Sequence, residues 1–167
     1  MIINRESVEV TGQKVLPEWI DYNGHMNVAY YVLAFDQALD EIFDSFGIGP
    51  NYVKQGEGSF FVAQSHVHYL QEVMAHDPLR IIWQLLDCDA KRLHYCLTMR
   101  HAAKGFQAAV SEQVAVHVDM RTRRVAAMRP QALDRMSTLA KQHSAAPRPA
   151  EVGRMISLRR PATPQPA

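Results

Sequence analysis

The 167-residue chain carries 18 basic and 17 acidic side chains, a net charge of +1, and is 47% hydrophobic. That length suits one domain with a sizeable core and is short for two. The charge balance excludes bulk attraction to nucleic acid: dense basic positions occur only at Arg121, Arg123 and Arg124, and at Arg154, Arg159 and Arg160, and both groups read as solvated surface. Contact with a phosphorylated ligand is the other use open to the first group. Met1 to Arg5 show no secretory leader, and no stretch is long enough to span a bilayer, so a cytoplasmic protein without a membrane partner is expected. In that setting Cys88 and Cys96, near adjacent predicted strands, read as reduced core thiols.

Residues 8–16 alternate loosely between apolar and polar and contain Gly12, which predicts a first strand with a bend or bulge. Pro17 and Glu18 lead into a polar turn. From 27 to 46 the apolar positions Val28, Tyr31, Ala34, Phe35, Ala38, Leu39, Ile42, Phe43 and Phe46 recur every three or four residues, the period of a helix with one broad buried face. Gly47 suits a left-handed cap, and Gly49-Pro50-Asn51 stops the helix from continuing.

A loop carrying Gly56 and Gly58 precedes residues 59–70, rich in aromatic and β-branched side chains and expected as a long strand. Further strands are predicted at 79–87, 92–100 and 107–118, joined by hairpin-like turns. Residues 124–130 read as an extended exit, and 131–142 as a short helix through Leu133, Met136 and Leu139. Residues 1–143 thus form the expected domain. Residues 144–167, rich in Pro, Ala and Arg, are expected to be a mobile tail with a short ordered piece near 152–158.

One strand, a long helix and four more strands predict an α+β fold: an antiparallel sheet of about five strands wrapped around a central helix. A helix of about twenty residues spans roughly 30 Å, which matches a sheet about five strands wide.

The chemistry concentrates in Trp19-Ile20-Asp21-Tyr22-Asn23-Gly24-His25-Met26-Asn27, where an extended segment turns into the helix. A helix N-terminus offers unpaired N–H groups and a positive dipole end that can polarise a carbonyl, and Asp21 can attack it or deprotonate a water beside it. Such a pair suits hydrolysis of an activated acyl group. Helix capping by Asp21 or Asn23 is the simpler use of these residues. Asp21, Asn23, His25 and Asn27 together exceed what one cap needs, however.

Two other readings stay open. His66 and His68 share a strand face, with His94, His101 and His117 nearby, so a zinc or iron site is conceivable. A non-catalytic binding protein, with Asp21 as a cap, is the third.

Asp21 with Gly24 three residues later, followed by a long helix and four strands, resembles the hotdog-fold acyl-CoA thioesterases of the 4-hydroxybenzoyl-CoA thioesterase type over about residues 8–127. The resemblance implies that Asp21 is the catalytic nucleophile or general base, and that the amide polarising the thioester carbonyl belongs to Val28. It also implies a homodimer or homotetramer with an interface active site, an acyl-CoA substrate, and no metal or redox cofactor. More narrowly, the run from Ile20 to Asn27 with Tyr30-Tyr31 is similar to the thioesterases of carnitine breakdown, which release glycine betaine from betainyl-CoA. Relatives acting on other acyl groups share Asp-x-x-Gly-His-x-Asn. In this reading Asn27, or Asn23, positions water or Asp21, and His25 contacts substrate or holds the turn. A trimethylammonium group is best held by aromatic faces; Trp19, Tyr22, Tyr30, Tyr31, Phe60 and Phe61 flank the turn in sequence, with Tyr22 the first candidate and Gly24 and Asn23 beside it.

Overall fold

The computed structural model describes residues 1–56 and 58–158. In chain order the elements are β1 (Ile2–Ile3), β2 (Val8–Lys14), α1 (Val28–Ser45), α2 (Pro50–Lys54), β3 (Ser59–Tyr69), β4 (Pro78–Cys88), β5 (Arg92–His101), β6 (Gln107–Asp119), β7 (Arg124–Val125) and α3 (Pro130–His143). All strands join one antiparallel sheet in the order β1-β2-β4-β5-β6-β3, with β7 on β6. The five long strands are those expected. The two-residue strands β1 and β7 are additions, and β7 occupies only the start of the predicted extended exit.

The face of α1 predicted from its periodicity is the buried one: Tyr31, Ala34, Phe35, Ala38, Leu39, Ile42 and Phe43 lie in one core with Val10, Ile81, Trp83, Tyr95 and Leu97 of the sheet. Burying a side chain such as Phe35 contributes about 2–3 kcal/mol relative to exposure. Phe43 sits at the centre of an aromatic cluster, edge-on to Phe60, Trp83 and Tyr95 at 5.8–6.2 Å. The helix stops as its sequence requires. Gly47 adopts φ +69°, its N–H donates to Asp44 O at 3.0 Å, and Ile48 N–H donates to Phe43 O at 2.9 Å.

The segment after Gly49 corrects the expectation of a plain loop. Gly-Pro-Asn does end α1, but it also begins the short helix α2, because proline at a first helical position needs no N–H partner. The Asp44 carboxylate at the end of α1 accepts from Asn51 N–H at 3.1 Å and Asn51 Nδ2 at 2.8 Å, joining the two helices. Residue 49 must be glycine: a Cβ there would stand 2.3 Å from Asp44 N.

Gly12 marks the predicted bulge, where the β2–β4 register shifts between Thr11 and Gln13. β2 pairs with β4 only as far as Val8↔Trp83. Beyond that point α3 takes over the exposed edge of β4: Leu85 N–H donates to His143 Nδ1 at 2.9 Å and Gln84 Nε2 donates to His143 O at 3.0 Å.

Residues following α3 lie against the sheet face opposite α1. Gln84 Nε2 also donates to Ala146 O at 3.3 Å, Gln107 Nε2 to Glu151 Oε2 at 3.4 Å, and Gly153 N–H to Glu112 Oε2 at 2.6 Å. This path passes over Cys96, whose strand neighbours are Gln84 and Glu112. Cys88 and Cys96 are both free thiols. Arg159, Arg160 and the rest of the tail expected beyond Leu158, with Glu57 in the Gly56–Gly58 loop, lie outside the described residues. Among the described residues no helix is long and apolar enough to cross a membrane.

Candidate active site

Between β2 and α1 the chain makes a 3-10 turn at Pro17–Trp19 and then a closed polar loop. Ile20 and Met26 form an isolated antiparallel bridge; Asp21 N–H donates to His25 O at 3.1 Å and Asn27 N–H to Trp19 O at 2.9 Å. Inside this neck Gly24 N–H donates to Asp21 O at 3.0 Å, and Gly24 takes φ +83°, a left-handed conformation that glycine adopts without steric cost. Met26 is fully buried and its N–H donates to Val73 O at 2.9 Å, which fixes the loop against the chain leaving β3.

The surplus of polar side chains in the loop resolves into separate duties. Asn27 is the N-cap of α1: its Oδ1 accepts from Ala29 N–H at 3.0 Å. Asp21 does not cap the helix. Its Oδ1 accepts from Asn23 N–H at 2.8 Å, and its Oδ2 lies 3.5 Å from Asn27 Nδ2. Asn23 therefore meets Asp21 through its backbone, and Asn27 through its side chain. Ala29 N–H and Tyr30 N–H are both taken up by Asn27, through Oδ1 and the main-chain O. Val28 N–H, the first of the helix, has no acceptor among the described residues.

A cleft of about 190 Å³ opens at this helix end. His25, Val28 and Tyr31 form one wall, and Tyr69 and Glu72 from the end of β3 and beyond form the other. Tyr69 Oη donates to Val28 O at 3.4 Å, and its ring stands edge-on to Tyr31 with centroids 5.2 Å apart. Burial raises the Tyr31 hydroxyl above the ordinary tyrosine value, against a lowering hydrogen bond from the Val73 backbone; burial raises Tyr69 as well. Both phenols stay neutral at physiological pH.

Residues 15–136 match the Thioesterase-like superfamily. The chain belongs to this superfamily. It is 37% identical over 144 residues to the betainyl-CoA thioesterase of Pseudomonas aeruginosa, covering 86% of this chain and 91% of that protein. It is 32% identical over 145 residues to the L-carnitine dehydrogenase/betainyl-CoA thioesterase of Ruegeria pomeroyi, covering 87% of this chain but only 29% of that longer protein. Among solved structures, a hypothetical protein of Staphylococcus aureus in complex with CoA superposes with a TM-score of 0.85 at 24% identity, covering 95% of this chain and 99% of the other. The expected hotdog fold and enzyme class, a thioester hydrolase, are borne out.

Within this thioesterase-like chain, the residues proposed from sequence divide by position. Asp21, Asn23, Gly24 and Asn27 meet in the loop, and His25, Val28 and Tyr31 line the cleft. Tyr22 and Tyr30 do not line it. Tyr22 is 96% exposed on the outside of the turn, and Tyr30 stacks on Trp19 with centroids 5.4 Å apart. Phe60 packs on Phe43 and His117, and Phe61 lies under the Arg123 guanidinium, so neither flanks the loop in space. Sequence reading missed Tyr69 and Glu72 as cleft residues. An aromatic at a strand end was the available signal, but only the docking of β3 against the start of α1 brings it there.

The histidines of the metal reading take separate partners. His94 pairs with Glu112 at 2.7 Å and His101 with Asp77 at 3.2 Å, while His117 lies between Tyr52 Oη at 3.0 Å and Ala126 O at 2.9 Å. The rings of His66 and His68 lie against each other, tilted by 43° with centroids 4.4 Å apart. Among the described residues no three His, Cys, Asp or Glu side chains are grouped to hold a metal ion.

Proposed function

We propose that this protein hydrolyses an acyl-CoA thioester to a carboxylate and free CoA, with betainyl-CoA as the substrate and glycine betaine as the acid released. The observation that carries the reading is the Asp21 carboxylate held beside the start of α1, where the first helical N–H, that of Val28, has no acceptor among the described residues. The substrate rests on the 37% identity to a betainyl-CoA thioesterase that this chain matches over most of its length.

In the reaction the thioester carbonyl oxygen accepts from Val28 N–H, and the positive end of the helix dipole stabilises the negative charge that develops on it. Asp21 supplies the attack. As general base it takes a proton from water, and the resulting hydroxide adds to the carbonyl carbon. As nucleophile it forms a mixed anhydride that water then opens. In either case the C–S bond breaks and CoA leaves as a thiolate, which needs little help from an acid. Asn27 holds the second Asp21 oxygen, and the Asn23 N–H holds the first, so the carboxylate is oriented before substrate arrives. His25 stands on the cleft wall as a substrate contact.

The same reading makes the working unit a homodimer in the cytoplasm. Among the described residues β3 ends the sheet, pairs on one side only, and carries Tyr69 of the cleft wall on its last residue. A second copy added along that edge would close the cleft and give the pantetheine arm a channel between subunits.

Release of free thiol from betainyl-CoA, short straight-chain acyl-CoAs, 4-hydroxybenzoyl-CoA and a long-chain acyl-CoA tests the proposal, with Asp21→Asn as control. Selective turnover of betainyl-CoA, lowered about 10²- to 10⁴-fold in Asp21→Asn while the fold is retained, is expected. Selective turnover of another ester would discard the substrate and keep the enzyme. Undiminished turnover by Asp21→Asn would remove Asp21 from the mechanism.

A further inference from the structure

The cleft at the start of α1 has a composition that the hydrolytic step does not use. Attack on a thioester needs Asp21 and an N–H donor; it has no need of a second carboxylate or of two aromatic rings. Yet Tyr31, Tyr69 and Glu72 all line this cleft, and among the described residues its lining includes neither lysine nor arginine. Tyr69 is fixed at the helix start by its 3.4 Å hydrogen bond to Val28 O, so its ring is held at the residue whose N–H faces the carbonyl. The rings of Tyr31 and Tyr69 meet edge to face at an interplanar angle of 82°; Tyr69 is the exposed member of the pair at 48%, and Tyr31, 3% exposed, stands behind it.

We propose that the Tyr69 ring, backed by Tyr31, and the Glu72 carboxylate seat a cationic headgroup placed one methylene from the thioester carbon. This inference rests on the reading of the protein as a betainyl-CoA thioesterase and assigns its selectivity to named residues. A trimethylammonium group cannot donate hydrogen bonds, so recognition falls to aromatic faces and to an opposing charge. One methylene is a short spacer, and the headgroup must therefore lie beside the group that polarises the carbonyl. Tyr69 and Glu72 meet that requirement. Tyr22, 96% exposed, and Tyr30, stacked on Trp19, do not.

The test compares betainyl-CoA with 3,3-dimethylbutanoyl-CoA, which has the same branched shape with carbon in place of the charged nitrogen. The quantity read is the ratio of kcat/KM for the two esters in the wild type and in Glu72→Gln, Tyr69→Leu and Tyr69→Phe. The wild type should prefer the cation. Glu72→Gln and Tyr69→Leu should each reduce the ratio about tenfold, mainly through KM for betainyl-CoA, and Tyr69→Phe, which keeps the ring, should restore it. Turnover of betainyl-CoA with an unchanged ratio in both Glu72→Gln and Tyr69→Leu would overturn the seat while leaving the enzyme assignment in place. Should the wild type hydrolyse neither ester, the assignment of function fails, and calorimetric titration with glycine betaine decides the seat separately. Binding by the wild type that Glu72→Gln loses would sustain it, and no binding by the wild type would overturn it.

Discussion

Asn27 faces two ways: its Oδ1 caps α1 through Ala29 N–H at 3.0 Å, while its Nδ2 lies 3.5 Å from Asp21 Oδ2. One side chain thus starts the helix whose N-terminus faces the cleft and orients the carboxylate beside it. The two duties separate by substitution. Asn27→Ala removes both, so the thermal midpoint should fall with a stability loss of about 1 kcal/mol, and kcat should fall as well. Asn27→Asp keeps the capping oxygen and suits the positive helix end, so stability should be retained. It replaces the donor to Asp21 with a second carboxylate, however, which repels Asp21 and leaves its Oδ2 without that hydrogen bond. Turnover should drop about ten- to a hundredfold at neutral pH. Equal activity of Asn27→Asp and wild type would show that the Asn27 donor does not orient Asp21.

His143 gives the fold an acid-sensitive joint. Its Nδ1 accepts from Leu85 N–H at 2.9 Å, which requires that nitrogen to be unprotonated, and burial pushes its pKa down to about 4. An unfolded chain binds the proton near the ordinary histidine value of about 6.5. The folded value is the lower of the two, so this contribution is fully present above about pH 6.5 and is lost progressively as pH falls toward 4, at no more than about 1.4 kcal/mol per pH unit. Urea midpoints between pH 7 and pH 4 should decline across that window, and the slope should be shallower in His143→Gln, which offers an acceptor that does not titrate. Parallel slopes would assign the decline to other groups.

Much of this architecture is legible in the chain because it is written in periods. The α1 face from Tyr31 to Phe43, the Gly47 stop and the Gly12 bulge follow from spacing and from backbone conformations that glycine tolerates. The Asp21–Asn27 loop is legible as a surplus of polar side chains, although which of them caps the helix is decided by distances that spacing does not carry. The cleft is not legible. Tyr69 and Glu72 stand more than forty residues from Asp21 in sequence, and the buried Met26, tied to Val73 O at 2.9 Å, together with the Tyr69–Val28 hydrogen bond, brings the two segments together. Tyr22, by contrast, is near Asp21 in sequence and points away from the site.

The chain beyond α3 should protect Cys96. This thiol is 1% exposed although it belongs to the sheet face opposite α1, and burial raises its pKa to about 12, so almost no thiolate forms at neutral pH. The covering segment is held by Ala146 O on Gln84 and by Gly153 N–H on Glu112. Mass spectrometry after brief exposure to a maleimide should find the half-buried Cys88 labelled first and Cys96 unlabelled. A chain ending at residue 143 should label at both positions at least tenfold faster than the full chain labels at Cys96. Unchanged protection in the shortened chain would mean that the sheet itself shields the thiol.

The β3 edge is a large exposed feature of the described residues, and the proposed pairing with a second copy predicts a direct consequence for turnover. An eleven-residue edge strand with unpaired backbone groups is a template for another strand. Val62, the fourth residue of β3, is 48% exposed, and one turn of α1 beside the cleft exposes Val28 at 55% and Val32 at 44%. Apolar side chains beside an open edge are what a self-complementary interface buries. Val62→Lys places like charges opposite each other across the two-fold and desolvates both. Sedimentation velocity at micromolar concentration should then show a dimer for the wild type and a monomer for the variant. Because the cleft wall carries Tyr69 on the last residue of the same strand, the monomer should also lose at least tenfold in kcat/KM while its far-ultraviolet circular dichroism stays that of the wild type. A monomeric wild type, or a monomeric variant of full activity, would confine the active site to one chain.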